Sequence, residues 1–132
     1  MPIPQSDPLV VAPTPTPFTD TDHIDHDALG QNVRKWLNTP LSGFVLTTAN
    51  GEETLLSEDE KVSIITTVNQ ARLGERFVIA GIDVGSTLET LRLAERYATA
   101  EWISSEYASQ GHSRLMLYAS TSPRSRQTHP CL

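Results

Sequence analysis

The stretch Ser42-Gly43-Phe44-Val45-Leu46-Thr47-Thr48-Ala49-Asn50-Gly51-Glu52-Glu53-Thr54-Leu55-Leu56-Ser57-Glu58-Asp59-Glu60 decides how the rest of the chain is read. Phe44, Val45 and Leu46 form a short apolar run without polar alternation, the pattern of a strand covered on both faces. Small polar residues, a glycine and a carboxylate follow, the composition of a turn. Ser57 and Glu60 then stand at the spacing of a capping box, which opens a helix. Strand, polar turn and capped helix make a βα unit. In α/β folds the loop after such a strand carries the site.

The same rhythm recurs on both sides. Leu9-Val10-Val11-Ala12 predicts a first strand, stopped by Pro13, Pro15 and Pro17, since proline cannot donate to a ladder. Leu29, Val33, Trp36 and Leu37 fall at i, i+4, i+7 and i+8, one face of a helix that ends at Asn38-Thr39-Pro40. After the central strand, Val62, Ile65 and Val68 predict the inward face of the second helix, with Gly74 at its end. Phe77-Val78-Ile79-Ala80 reads as the third strand and residues 81–85 as a turn. Ser86 and Glu89 repeat the capping-box spacing. The helix they open places Leu88, Leu91, Ala94 and Ala98 on one face. Leu115-Met116-Leu117-Tyr118 reads as a fourth strand. The expected layout is a disordered segment at 1–8, one α/β domain at 9–118, and a disordered tail rich in Ser, Pro and Arg at 119–132.

Charge and composition remove several function classes. The net charge is −6, which disfavours nucleic acid as a partner. No apolar run approaches ~18 residues, so no membrane span is expected. The N-terminus shows no basic segment followed by an apolar core, and a cytoplasmic location is the expectation. Cys131 is the single cysteine, with no cysteine partner for a disulfide or a metal site. Asp20-Thr21-Asp22-His23-Ile24-Asp25-His26-Asp27 has metal-ligating residue types, but reads as a solvated loop whose carboxylates favour the following helix N-terminus. The Gly81-x-x-x-Gly85-Ser86 stretch lacks the lysine of a P-loop and the spacing of a dinucleotide fingerprint, and reads as a close strand-to-helix turn. No metal and no cofactor are expected.

Four blocks in order carry a family resemblance. Residues 43–52 are similar to the G-x-x-V-x-G-T-T-G-E segment of the dihydrodipicolinate synthase / N-acetylneuraminate lyase family. Thr16-Pro17-Phe18, followed by Ile24-Asp25-His26-Asp27-Ala28-Leu29, resembles that family's first turn and helix start. Leu55-Leu56-Ser57-Glu58-Asp59-Glu60-Lys61 resembles T-L-S-x-E-E-R. Arg76-Phe77-Val78-Ile79-Ala80-Gly81-Ile82, with Ser86-Thr87, resembles P-V-I-A-G-x-x-x-x-S-T. The resemblance covers roughly residues 8–98 and implies an α/β fold, a (β/α)8 TIM barrel. At 132 residues the chain is about half the usual barrel length of ~250, so a partial barrel of the first three to four βα units is expected. Past residue 98 the match fails. Residues 99–110 read as an insertion, because ten added helical residues lengthen the helix by about 15 Å, too far for a direct return to the sheet.

The resemblance also implies a chemistry. These enzymes are class I lyases and aldolases that make or break a C–C bond of a 2-keto acid such as pyruvate through a lysine Schiff base. In the family that lysine comes from the sixth strand. This chain has only Lys35 and Lys61, both predicted in helices, so the Schiff-base lysine is missing and no catalytic residue is assigned. The family's carboxylate-binding turn maps onto residues 48–51. Its two hydroxyl residues fall at Ala49 and Asn50, and the Asn-Gly-Glu ending is closer to the S-N-G-E of the 4-hydroxy-2-oxoglutarate and 2-keto-3-deoxy-sugar-acid aldolases. Asn50 offers an amide donor and Ala49 relays no proton. Thr48 takes that role only if the turn shifts by one, and Gly51 completes the substrate-binding set. Glu52 is expected to be a structural hydrogen-bond acceptor. The tyrosine that follows the family's fourth strand is replaced at that register by Thr121-Ser122, and Tyr118 reads as a strand residue. The expected function is therefore that of a truncated lyase, inactive alone. The alternative is a non-catalytic fragment, either a pairing or regulatory subunit or an unproductive product. An open half-barrel also implies self-association through its sheet edges.

Overall fold

The computed structural model describes residues 8–72, 76–105 and 115–119. Four strands, β1 (Val11–Pro13), β2 (Gly43–Leu46), β3 (Phe77–Ile82) and β4 (Leu115–Ala119), alternate with three helices, α1 (His26–Trp36), α2 (Glu58–Arg72) and α3 (Thr87–Ser105). The sheet is wholly parallel, in the order β1-β2-β3-β4. Consecutive parallel neighbours joined by helices, each crossing over with the same hand, set all helices on one face. This is the arrangement of the opening part of a TIM barrel.

Each helix is held at its start by a side chain. Asp25 caps α1, its Oδ1 accepting from the Ala28 amide at 2.8 Å. The Ser57 box at α2 is complete: the Glu60 amide donates to Ser57 Oγ at 3.2 Å, and the Ser57 amide donates to Glu60 Oε2 at 2.8 Å. The Ser86 box is half-formed. Ser86 Oγ accepts from the Glu89 amide, but the Glu89 carboxylate accepts from the Arg92 guanidinium instead. A full charge four atoms out on Arg92 outbids a single backbone amide for the carboxylate.

The core lies between sheet and helices. Phe44, Leu46, Val78, Ala80 and Ile82 from the strands meet Leu29, Val33, Ile64, Ile65, Val68, Leu93 and Tyr97 from the helices. Fully burying each large apolar side chain contributes about 1.5–3 kcal/mol. The alternate strand residues Val45 and Ile79 point to the other face and are only half-buried. Pro13, Val45, Ile79 and Met116 occupy one row of the register across all four strands. One face of the sheet is thus packed, while on the other Val45 and Ile79 are half-buried and Pro13 is exposed.

Several sequence expectations are corrected. The first strand is not 9–12. Leu9 and Val10 are 44% and 55% exposed, and the strand runs on to Pro13. The Thr14 amide donates to the Val45 carbonyl and the Ser42 amide to the Val10 carbonyl, so even-numbered residues of β1 face β2. Pro13 lacks its N–H on the open edge, where proline removes no ladder bond. The third strand does not stop at Ala80. Gly81 and Ile82 pair with Tyr118 and Ala119, and the turn begins only at Asp83. On α3 the predicted face of Leu88 and Leu91 is solvent-facing, at 75% and 59% exposure, and Leu93, Tyr97 and Ala100 are buried instead. Both stripes have helical spacing, and the larger ring of Tyr97 gives the second more area to bury.

Helix α3 continues through Thr99 to Ser105, and buried Ala100 shows that the first turn of the 99–110 segment packs. The added length does not prevent a return to the sheet, since β4 pairs with β3 over five residues. The predicted helix end at Gly74, the segment 1–7, and the tail from 120 onward lie outside the described residues.

Helices α2 and α3 are stitched by charge. Arg92 binds Glu58 and Glu89, and Arg96 binds Glu58 and Asp59. The guanidinium of Arg92, then that of Arg96, holds the Glu58 carboxyl below its ordinary value of 4.5. A lowered carboxylate pKa stabilises the fold above the unfolded value, and the contribution is lost as pH falls through the folded one. Glu58→Gln is therefore expected to flatten the acid limb of the stability profile below about pH 4.5. Urea melts of both proteins between pH 7 and pH 3 check this. Parallel acid limbs would rule out Glu58 as the source.

Candidate functional site

The chemistry-bearing residues gather at the C-terminal end of β2. Thr47, 2% exposed, has φ 52°. A β-branched residue there is a genuine outlier. Its hydroxyl donates to the Gly81 carbonyl at 2.9 Å. Thr48 is extended, and residues Ala49–Gly51 form a single 3-10 turn. The Gly51 amide donates to the Thr48 carbonyl at 2.8 Å and the Glu52 amide to the Ala49 carbonyl at 3.1 Å. Glu52 is left-handed, φ 59°, and leads into a second 3-10 turn, Glu53–Leu55.

Neighbouring loops brace this turn. Thr16 donates its hydroxyl to the Gly51 carbonyl at 2.8 Å, across 35 residues of sequence. Gly51 suits that close approach rather than a special dihedral angle: a Cβ there would lie 3.1 Å from the Thr14 carbonyl oxygen and 3.4 Å from Thr16 Oγ1. At Gly81 a Cβ would lie 2.7 Å from the Thr47 carbonyl oxygen and 2.9 Å from Thr48 Cγ2. The ends of β1, β2 and β3 therefore close together on one another.

The turn leaves donors free. The amides of Ala49 and Asn50 make no hydrogen bond among the described residues. Asn50 is exposed, and its side-chain amide is likewise unengaged. Thr48 is half-buried and Gly51 buried. Two free backbone N–H groups and a side-chain amide on one short turn can satisfy the oxygens of an anion such as a carboxylate.

The remaining sequence candidates are elsewhere. Lys35 is exposed on α1, and Lys61 is half-buried in the first turn of α2. Neither stands at a strand end. The carboxylate of Glu52, expected to accept a structural hydrogen bond, accepts none among the described residues; its contribution is the left-handed backbone at the exit of the turn. In the acidic loop after β1, Asp25 caps α1, His26 Nδ1 pairs with Thr67 Oγ1 at 2.7 Å, and His23 Nδ1 lies 2.9 Å from the Thr21 carbonyl oxygen. Among the described residues, no group of three or more His, Cys, Asp or Glu is placed to hold a metal. No helix of the described residues is long and apolar enough to cross a membrane. Tyr118 lies in β4, while Thr121 and Ser122 lie outside the described residues.

Against this geometry the comparison with known proteins is direct. The profile of the Dihydrodipicolinate synthetase family matches residues 8–101. The chain belongs to that family. Within the dihydrodipicolinate synthetase family, the 4-hydroxy-tetrahydrodipicolinate synthase of Limosilactobacillus fermentum is 38% identical over 88 residues, which are 67% of this chain and 28% of that protein. The enzyme of the same name from Natronomonas pharaonis is 35% identical over 85 residues, 64% of this chain and 29% of its own. Among solved structures, a dihydrodipicolinate synthase family protein from Coccidioides immitis superposes with a TM-score of 0.68 at 25% identity, over 71% of this chain and 32% of that one. Dihydrodipicolinate synthase from Rhodopseudomonas palustris superposes at 0.65 over 82% and 32%, at 21% identity, a likeness of fold. The chain thus spans under a third of the length of these relatives.

Two contacts, Thr16 to Gly51 and Thr47 to Gly81, and the burial of Tyr97 were not legible in the sequence. The first joins two blocks of the family resemblance. Their co-occurrence was a signal, but the hydrogen bond between them needs coordinates.

Proposed function

We propose that this chain carries the carboxylate-binding part of a class I 2-keto acid lyase or aldolase site, and that alone it forms no Schiff base. The observation that carries the reading is the free pair of amides at Ala49 and Asn50, beside the Asn50 side chain, on the turn after a parallel strand. In parallel α/β sheets ligands bind at this end of the strands. A pyruvate-type 2-keto acid is the proposed ligand, with Asn50, Gly51 and the turn amides receiving its carboxylate. Thr48 shapes the approach and Ala49 offers only its backbone. The reading includes a cytoplasmic location, in keeping with a single cysteine.

A Schiff base requires an unprotonated amine near the bound carbonyl carbon. Helix lysines at 35 and 61 are away from the strand ends, so the carbon–nitrogen bond has no nucleophile within this chain. Incubation with pyruvate and borohydride is therefore expected to leave the intact mass unchanged. A mass increase matching reduced pyruvate, mapped to Lys35 or Lys61, would overturn the inactive reading.

A second reading has its own support. The half-buried row at Val45 and Ile79, beside fully buried neighbours, favours a non-catalytic fragment that pairs with another half-barrel, as a pairing or regulatory subunit. Under that reading residues 99–110 are an insertion relative to the family.

A further inference from the structure

We propose that Thr47 is a positioning residue for the turn at residues 48–51: its left-handed backbone, locked by its own hydroxyl to the Gly81 carbonyl, places Thr48 and the free amides on the Val45–Ile79 face of the sheet. The proposal rests on the carboxylate-binding reading for its effect on a ligand, and on the geometry alone for the kink.

Along β2 the side chains alternate. Phe44 and Leu46 are buried in the core, and Val45 faces the other way. Continued extension would set Thr47 beside Val45, and Thr48 on the packed face with Phe44 and Leu46. The chain does something else. Thr47 has φ 52°, a left-handed conformation that a branched Cβ disfavours. Backbone pairing of β2 with β3 stops one residue earlier, at Leu46 and Ala80. Beyond the kink Thr48 is extended again, with φ −119° and ψ −178°. Its Cγ2 lies 2.9 Å from the place that a Gly81 Cβ would take. Gly81 is two residues past Ile79 in the same strand, so that place is on the Val45–Ile79 face. The kink has therefore carried Thr48 from one face of the sheet to the other, and the free amides of Ala49 and Asn50 follow it.

The surroundings hold the kink in place. A residue at such a φ persists only where its neighbours over-determine it. Here Thr47 Oγ1 donates to the Gly81 carbonyl at 2.9 Å, with Thr47 2% exposed and Gly81 buried. Leaving either group unpaired in that setting costs free energy. Gly81 in turn has no room for a Cβ, which would stand 2.7 Å from the Thr47 carbonyl oxygen. Thr48 is the N-cap of the 3-10 turn but makes no side-chain cap bond, so its side chain does not fix the direction of the turn. Glycine at position 47 would adopt the same φ without strain, yet has no hydroxyl to lock it. A threonine accepts the strain and supplies the lock.

The test uses the full 132-residue chain. Thr47→Val keeps the branch and the strain and removes the hydroxyl. Thr47→Gly removes both the strain and the hydroxyl, and Thr47→Ser keeps the hydroxyl. Hydrogen–deuterium exchange read by mass spectrometry reports on the Gly51, Glu52 and Glu53 amides, which are bonded within the turn. Exchange there is expected to speed up by about tenfold, the scale of one lost hydrogen bond, in Thr47→Val and Thr47→Gly, with exchange in α1 unchanged and Thr47→Ser close to wild type. Urea midpoints should rank differently: Thr47→Gly above Thr47→Val, because glycine relieves the strain. A pyruvate titration should show weaker binding in both, so that Thr47→Gly loses ligand without a matching loss of stability. A merely structural role would move the two together. Wild-type turn exchange in Thr47→Gly, or pyruvate affinity that simply follows the urea midpoints, would overturn the positioning role. If the wild-type chain binds no pyruvate while the local exchange pattern holds, the ligand reading falls and the assignment of Thr47 stands.

Discussion

At micromolar concentration the 132-residue chain is expected to run as a dimer or a larger species rather than as a monomer. The argument starts from the strand register. Among the described residues, the parallel order β1-β2-β3-β4 leaves β1 and β4 as edges. On β1 the odd-numbered backbone faces away from β2, so the N–H of Val11 and the neighbouring carbonyls lie on the open side. Unpaired groups of this kind recruit another chain, and transient species with open edges and apolar surface associate at micromolar concentrations. The apolar incentive is the row of Val45 and Ile79, half-buried although their neighbours Phe44, Leu46, Val78 and Ala80 are at 0–1% exposure.

A two-fold axis along the strands would place β4 of one copy beside β1 of the other, twice, with all eight strands parallel. Closure of this kind removes both edges at once. Disordered aggregation satisfies the same groups less selectively. Light scattering coupled to size exclusion separates the outcomes. Val10→Lys adds a charge at an exposed edge position and is expected to shift the population toward monomer, since edge charges block strand pairing. A stable, cooperatively folded monomer that binds no hydrophobic dye would show that the open-face reading is wrong.

Adding one methyl group at either of two glycines is expected to destabilise the fold by about 1–3 kcal/mol, the usual range for overpacking. At Gly43 the new Cβ would stand 2.6 Å from the Phe77 carbonyl oxygen and 2.7 Å from Phe77 Cβ. Those contacts are at the first register pair of β2 and β3, so relief requires the strands to part. At Gly81 the clash is with the Thr47 carbonyl oxygen, 2.7 Å away, and relief requires the site turn to move. Gly85→Ala is the control, because nothing lies within 4 Å of its Cβ. There the expected effect is neutral or a gain of about 0.4–1 kcal/mol from a less flexible unfolded chain. Urea unfolding of the three variants checks the order. If Gly43→Ala and Gly85→Ala had equal stabilities, the tight β2–β3 approach would be refuted. Gly81→Ala should additionally weaken any keto-acid binding, which Gly43→Ala should leave closer to wild type in its folded fraction.

Local interactions made much of this protein readable from its residues. The Ser57 box, the Leu29–Val33 stripe of α1 and the apolar run at 44–46 depend on neighbours within a few positions, and side-chain periodicity and capping chemistry are short-range. The four family blocks added the order of the units and the location of the turn proposed to hold a carboxylate. Where two local patterns competed, tertiary packing chose between them. On α3 the Leu88–Leu91 stripe and the Leu93–Tyr97 stripe are equally helical, and only the position of the sheet decides which one is covered. Glu89 had two partners at helical reach, and the charge on Arg92 won. Gly81 reads as a turn residue, yet pairing with β4, a strand 34 or more positions along the chain, keeps it extended. The site itself divides in the same way. Residues 48–51 were placed by sequence, whereas the free amides, the kink at Thr47 and the braces from Thr16 and Gly81 exist only because three strand ends meet. Those contacts join positions 34 and 35 residues apart, and no periodicity within a single element encodes them.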